Sequence, residues 1–214
     1  MTLHLAKLTL NLQSRQARRD LADPYDMHRT LNRAFTGPDG LSPFLWRLED
    51  SRPGELPVLL VQSKDAPDWQ QLPERWSVDQ AQRVWEPEKV IRPGQWVRFR
   101  VLVNPTITTV PKGVDVQGSA RGHRKRLGLT KAEDQLGWLQ RQGQRLGLRD
   151  MDATVVRSGK VRSSKKKGHP MTVVIALLEG QALVGDAAAL AGGIRTGIGH
   201  ARMLGLGLIS VVPL

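Results

Sequence analysis

Apolar and polar residues alternate over ten positions in "LHLAKLTLNL" (Leu3 to Leu12), the period of a half-buried strand. After a basic connector, "DPYDMHRTLNRAF" opens as a helix should. Asp23 can cap it, Pro24 takes the first helical position, and Asp26 completes a start resembling a capping box. "FLWRLED" and "LPVLLVQS" read as two strands joined by the turn-rich "SRPGE". The tryptophan-rich "PDWQQLPERWSVDQAQRVWEP" fits a short helix and an edge strand. "KVIRPGQW" contains a Pro-Gly turn and reads as a linker. Beyond it the order begins again: a strand in "WVRFRVLVNP", then a helix in "TKAEDQLGWLQRQGQRLG". That helix places Leu136, Leu139 and Leu146 on one face and is capped by Thr130 with Glu133 three residues on. "DATVVRS" and "MTVVIALLEG" are strands joined by a very basic turn. A short helix, "DAAALAGGIRTG", and a last strand in "GLGLISVVPL" complete the copy.

Twice over, the order is β-α-β-β-α-β. The expected fold is therefore α+β, two tandem ferredoxin-like domains spanning residues 1–92 and 93–214. The duplication rests on the order of elements, since the two halves share no visible sequence repeat.

Charge separates the halves further. Residues 1–92 carry 13 Lys/Arg against 13 Asp/Glu, so the whole net charge of +12 falls on residues 93–214. Such asymmetry points to a polyanion held mostly by one domain. The absence of cysteine leaves no thiolate metal site or disulfide framework to argue. No histidine has a partner at metal-ligand spacing and no carboxylate cluster is placed for magnesium, so neither metal nor cofactor is expected. The first twenty residues do not resemble a signal peptide, and no apolar run is long enough for a membrane span; a cytoplasmic protein without a membrane partner is expected.

Two segments concentrate the cations. "RSGKVRSSKKKGH" holds Arg157, Lys160, Arg162, Lys165, Lys166 and Lys167 without an acid, and its place between two strands makes it a projecting hairpin tip. "RGHRKRLGL" adds Arg124, Lys125 and Arg126. Several cations on phosphates give salt-dependent binding. With only three Phe and one Tyr, the sheet aromatics that stack single-stranded bases are not evident. A structured RNA is therefore the expected ligand.

"GIGHARMLGLGL" offers Gly197, Gly199, Gly205 and Gly207 with Arg202 among them. A dinucleotide loop follows a strand and opens a helix. These glycines instead follow a helix, precede the final strand and lack the Gly-Lys-Ser/Thr of a Walker loop. Close approach of an RNA backbone, with Arg202 supplying charge, is the reading that survives, beside that of a plain helix-to-strand connection.

"GIGHARMLGLGLISVVPL" resembles the C-terminal glycine-rich signature of CRISPR repeat-processing endoribonucleases. With "LNLQSRQARRDLADPYDMHRTL", "LWRLE", "VRFRVLVNP", "GHRKRLGL" and "GWL", nearly the whole chain is similar to the CasE subfamily of the type I-E Cascade complex. The resemblance implies a duplicated ferredoxin-like fold and metal-independent cleavage at the 3′ base of the repeat stem-loop. It also implies a 2′,3′-cyclic phosphate product and retention of the mature RNA among other Cascade subunits. A non-catalytic subunit that binds structured RNA on the same fold is the alternative.

Only "DPYDMHRTLNRAF" carries groups suited to proton transfer. On a helix, Tyr25, His28 and Arg29 fall at i, i+3 and i+4 and share a face joined by Asn32, while Met27, Leu31 and Ala34 turn to the core. An imidazole titrates near neutrality and serves as base or acid. The resemblance implies that Tyr25 and His28 divide these roles, leaving open which takes which. Arg29 is added from the shared face, as an electrostatic helper.

Overall fold

The alternation in "LHLAKLTL" becomes strand β1 (Leu3–Leu10), which buries Leu8 and Leu10 completely on one face. The computed structural model describes residues 1–37, 40–109, 125–164 and 170–214. After β1 come helices α1 (Arg15–Ala22) and α2 (Pro24–Leu31), then strands β2 (Phe44–Leu48), β3 (Val58–Ser63) and β4 (Ser77–Trp85). The second half gives β5 (Trp96–Val103), α3 (Ala132–Arg145), β6 (Leu148–Ser164), β7 (Pro170–Val184), α4 (Ala187–Thr196) and β8 (Ile209–Pro213). Between β5 and α3 a short ribbon pairs Thr106–Thr109 with Lys125–Gly128.

Each half forms a four-stranded antiparallel sheet, in the orders β2-β3-β1-β4 and β6-β7-β5-β8. In both, the third strand of the unit lies beside the first. Two split βαβ units in tandem are the ferredoxin-like arrangement repeated. The register pairs Leu8 with Leu59 and Ala6 with Val61, so apolar partners enter the first core together. In the second sheet Val101 lies opposite both Leu178 and Ile209 and builds the other core.

Four elements differ from the sequence reading. The basic connector after β1 is helix α1, whose N-cap Ser14 accepts from the Ala17 N–H at 3.3 Å. The second helix of the first unit shrinks to the 3-10 turn Trp69–Gln71, because Pro67 and Pro73 leave too short a window for an α-helix. Helix α3 starts from Lys131 and makes no side-chain cap, so Thr130 does not cap it. The basic "turn" is mostly paired strand. β6 runs for 17 residues and β7 for 15, while β5 pairs only with Ala176–Leu183 of β7. From Gly159 through Ser164 the chain is thus a two-stranded arm beyond the sheet, and Lys160 and Arg162 sit along its shaft.

"KVIRPGQW" is an anchored connection. Ile91 is buried in the second core beside Leu3, and the Gly94 N–H donates to the Val184 carbonyl at 2.7 Å. Arg47 on β2 clasps the domains together. Its buried guanidinium donates to Glu49 Oε1 (2.6 Å) in its own domain, and across the boundary to the Arg100 carbonyl (3.0 Å), the Leu208 carbonyl (2.9 Å) and Ser210 Oγ (2.9 Å). Gln62 Nε2 adds a bond to the Ile194 carbonyl at 2.6 Å.

Candidate active site

Helix α2 is set by its first turn. Asp23 Oδ1 accepts from the Tyr25 N–H at 2.9 Å, and Pro24 supplies a preset φ where no N–H is needed. Met27, Leu31 and Ala34 are buried as the helical period expects. With that face fixed in the core, His28 turns to a cavity of about 700 Å³ at the domain boundary. Its ring stacks on Phe44 of β2, centroids 5.0 Å apart and planes at 25°. Nδ1 is buried with no hydrogen-bond partner among the described residues, and burial lowers the His28 pKa below its ordinary value. Near pH 7 the imidazole is neutral.

Beside His28 the cavity is lined by Asn32, Ser63, Lys64, Arg195 and Arg202. No Asp or Glu is among the described residues lining it. Arg195 is ion-paired with Glu88, whereas Arg202 has no carboxylate partner among the described residues. His200, next along the loop, is pushed down by partial burial and then by the charges of Arg126 and Arg202. Arg126 of the ribbon and Arg202 of the glycine loop therefore both lie near enough to His200 to disfavour its charged form.

The face expected for Tyr25, His28 and Arg29 divides into three surroundings. His28 enters the cavity. Tyr25 packs into an apolar cluster between the domains that contains Leu102, Val173, Ile175 and Leu204. Arg29 is drawn away by Asp26 Oδ1 at 3.1 Å, the carboxylate that Arg19 also reaches, and lines a separate polar cavity of about 160 Å³ with Gln16 and Arg33. An acid three residues earlier and a second helix alongside account for this turn, which helical spacing alone does not contain.

The glycines are placed differently from the RNA-contacting reading. Gly197, Gly205 and Gly207 are buried, and all four glycines have φ between 70° and 91°. A Cβ on Gly205 would lie 2.7 Å from the Trp46 ring, one on Gly197 2.9 Å from Leu45, and one on Gly207 2.5 Å from the Ile198 carbonyl oxygen. Gly199 is half-buried against Trp138. Their positive φ and missing side chains let the loop press on β2, so protein fills the space that a side chain would take at Gly197, Gly205 and Gly207. Gly205→Ala is expected to cost about 2 kcal/mol of stability through left-handed strain and overpacking, read from the midpoint of urea unfolding. Arg202 alone of the loop's predicted site residues is both exposed and cavity-lining.

Of the basic residues, Lys125, Arg126, Arg157, Lys160 and Arg162 are exposed. Arg157 is engaged at the domain boundary, where Nη2 donates to Asp50 Oδ1 at 3.0 Å. Arg124, Lys165, Lys166 and Lys167 lie outside the described residues. Phe44, Lys64 and Arg195 escaped the sequence reading because they reach the cavity from separate strands and helices. Arg47 did carry a signal, as a lone charge inside the apolar strand "FLWRL".

A duplicated ferredoxin-like protein with a neutral histidine in an interdomain cavity whose charged lining groups, among the described residues, are cations, and with a basic arm on its second sheet, has the parts of an RNA-processing endonuclease. The family model described as "CRISPR associated protein" matches residues 3–213. The CRISPR-associated endoribonuclease Cse3 of Thermus thermophilus is 34% identical, covering 98% of this chain and 99% of that protein. The CRISPR system Cascade subunit CasE of Escherichia coli K12 is 31% identical, covering 90% and 93%. The structure of Thermus thermophilus Cse3 bound to an RNA representing a pre-cleavage complex superposes with a TM-score of 0.85 at 33% identity, covering 100% of each chain. The chain belongs to the CRISPR-associated family, in its Cse3/CasE endoribonuclease branch. Among the described residues, no helix is long and apolar enough to cross a membrane.

Proposed function

We propose that the chain cuts CRISPR repeat RNA at the 3′ base of its stem-loop, with His28 as the general base. The observation that carries this reading is the neutral imidazole of His28 in a cavity whose only charged lining groups among the described residues are cations. His28 takes the proton of the 2′-hydroxyl. The freed 2′-oxygen bonds to the adjacent phosphorus as the P–O5′ bond breaks, and the 5′-oxygen leaves with a proton taken from water. The products are a 2′,3′-cyclic phosphate on the stem-loop fragment and a 5′-hydroxyl on the other. Arg202, Arg195 and Lys64 face the charge that builds on the phosphorane. Tyr25 braces the start of the helix from the interdomain cluster. In this reading residues 1–92 supply proton transfer, residues 93–214 supply most of the RNA-holding cations, and the stem-loop product stays bound within Cascade. The E. coli relative's designation as a Cascade subunit supports that last step.

Incubation of the protein with repeat RNA in EDTA tests the reading. Cleavage with a cyclic phosphate end is expected; binding without cleavage would establish the non-catalytic RNA-binding subunit instead. The single-turnover rate is expected to rise with pH through the acid range and level off. Its midpoint should lie below the ordinary histidine value of about 6.5, because burial disfavours the protonated form. Folding stability carries the same sign, being present above about pH 6.5 and lost as pH falls through the lowered His28 value. On the arm, Lys160→Ala and Arg162→Ala are each expected to weaken binding of a non-cleavable stem-loop and to reduce the salt slope of log K by about one, read from a salt titration.

A further inference from the structure

The arm's two faces do different work, and a strand's period of two separates them. Lys160 and Arg162 are exposed, while the residues between and after them, Val161 and Ser163, turn inward. Val161 packs in the interdomain cluster with Met171, Val173 and Tyr25. Ser163 is 3% exposed, and its Oγ donates to Asp23 Oδ1 at 2.8 Å. That same oxygen accepts the Tyr25 N–H at 2.9 Å and caps α2. One carboxylate oxygen thus ties the basic arm, across 140 residues of sequence, to the first turn of the helix that carries His28.

We propose that Ser163 is a positioning residue: through Asp23 it fixes the start of α2, so that stem-loop binding on the outer face of the arm sets the position of His28. The inference rests on the proposed cleavage reaction for its consequence but not for its structural part. Asp23 is the natural transmitter. It can cap the helix by itself, but a cap rotates with its turn. A hydrogen bond between a buried hydroxyl and a carboxylate is strong enough to hold that turn against the arm. Val161 and Met171 add apolar contact on the same side, where Tyr25 meets them. The outer cations can therefore engage phosphate while the inner face keeps the helix in register with the cavity. A displaced reacting group is costly even when everything around it is intact.

Ser163→Ala, Ser163→Thr and Arg162→Ala are compared with the unchanged chain in two measurements. In the first, single-turnover cleavage of a repeat stem-loop is set against the dissociation constant of the same RNA with a 2′-deoxy nucleotide at the scissile position. Ser163→Ala is expected to cut about tenfold more slowly with its dissociation constant changed less than twofold. Ser163→Thr, which keeps the hydroxyl, is expected to recover most of the rate. Arg162→Ala should raise the dissociation constant severalfold, an effect that Ser163→Ala does not share. In the second, amide hydrogen exchange without RNA is expected to show faster exchange over residues 25–29 in Ser163→Ala, with the sheet amides of β1 and β5 unchanged. Unchanged cleavage in Ser163→Ala, or equal loss of binding and rate, overturns the proposal. So does unchanged exchange over residues 25–29. If the unchanged chain itself fails to cut, the cleavage reading falls, and the exchange measurement still decides whether Ser163 positions α2.

Discussion

His28→Ala is expected to lower the single-turnover cleavage rate by about 10²–10⁴-fold while leaving the affinity for a non-cleavable stem-loop within twofold. The two effects separate because His28 contributes a neutral ring to the cavity, and in the proposed reading the RNA is held by charge from elsewhere, from Arg202 and the arm. The imidazole is held from behind by Phe44, which in turn stacks on Phe35 with centroids 4.4 Å apart and planes at 16°. Alanine leaves that aromatic stack in place, so the fold should melt at nearly the same temperature. Cleavage at the unchanged rate would remove His28 from the chemistry. A parallel loss of binding would recast it as an RNA contact. His28→Gln keeps polarity without a titratable group, and should be as slow as alanine if proton transfer is the function lost.

Arg47→Ala is expected to destabilise the chain by about 3 kcal/mol and to weaken the union of the two domains. The guanidinium is 2% exposed and is bonded on both sides of the boundary. Removing it takes a donor from the Arg100 and Leu208 carbonyls and from Ser210 at the domain boundary. Glu49 is cushioned, because Arg100 Nε lies 3.4 Å from its Oε2. Lysine should recover only part of the loss, since one ammonium cannot reproduce a planar fork reaching four acceptors. Urea unfolding followed by tryptophan fluorescence reads the outcome. The expected change is a lower midpoint with the single transition broadening or splitting, as the domains come apart before each unfolds. A loss below about 0.5 kcal/mol, the range of a surface substitution, would show that the clasp contributes little. Since β2 also carries Phe44 and Leu45 to the cavity, cleavage should fall in Arg47→Ala as well.

Local pattern carried much of this. Alternation in "LHLAKLTL" and "WVRFRVLV", the capped start at Asp23-Pro24, and the helix over "DAAALAGGIRT" are decided by neighbours a few residues apart, and they appear in the structure where the sequence puts them. So does the burial of Met27, Leu31 and Ala34, because helical period alone turns them inward. The structure departs from the local pattern where a distant partner acts on a side chain. Arg29 shares a helical face with Tyr25 by spacing, but Asp26 and the neighbouring α1 take it elsewhere. The glycine loop looked open to a ligand because its composition permits close approach to anything; what approaches is Trp46, more than 150 residues earlier. Arg157 is one of the hairpin's cations by sequence, and Asp50, from the other half of the chain, pairs with it.

Taken alone, the sequence determined the α+β class, the doubled order of elements, the half that bears the charge, and the helix that holds the histidine. Each follows from periodicity, capping or counting, which need no knowledge of distant residues. Tertiary structure decided which cations line the cavity with His28, which glycines serve packing, and that Ser163 and Asp23 meet. Those facts depend on side chains brought together by the docking of two sheets, and contacts across 50 to 160 residues leave no mark on local pattern.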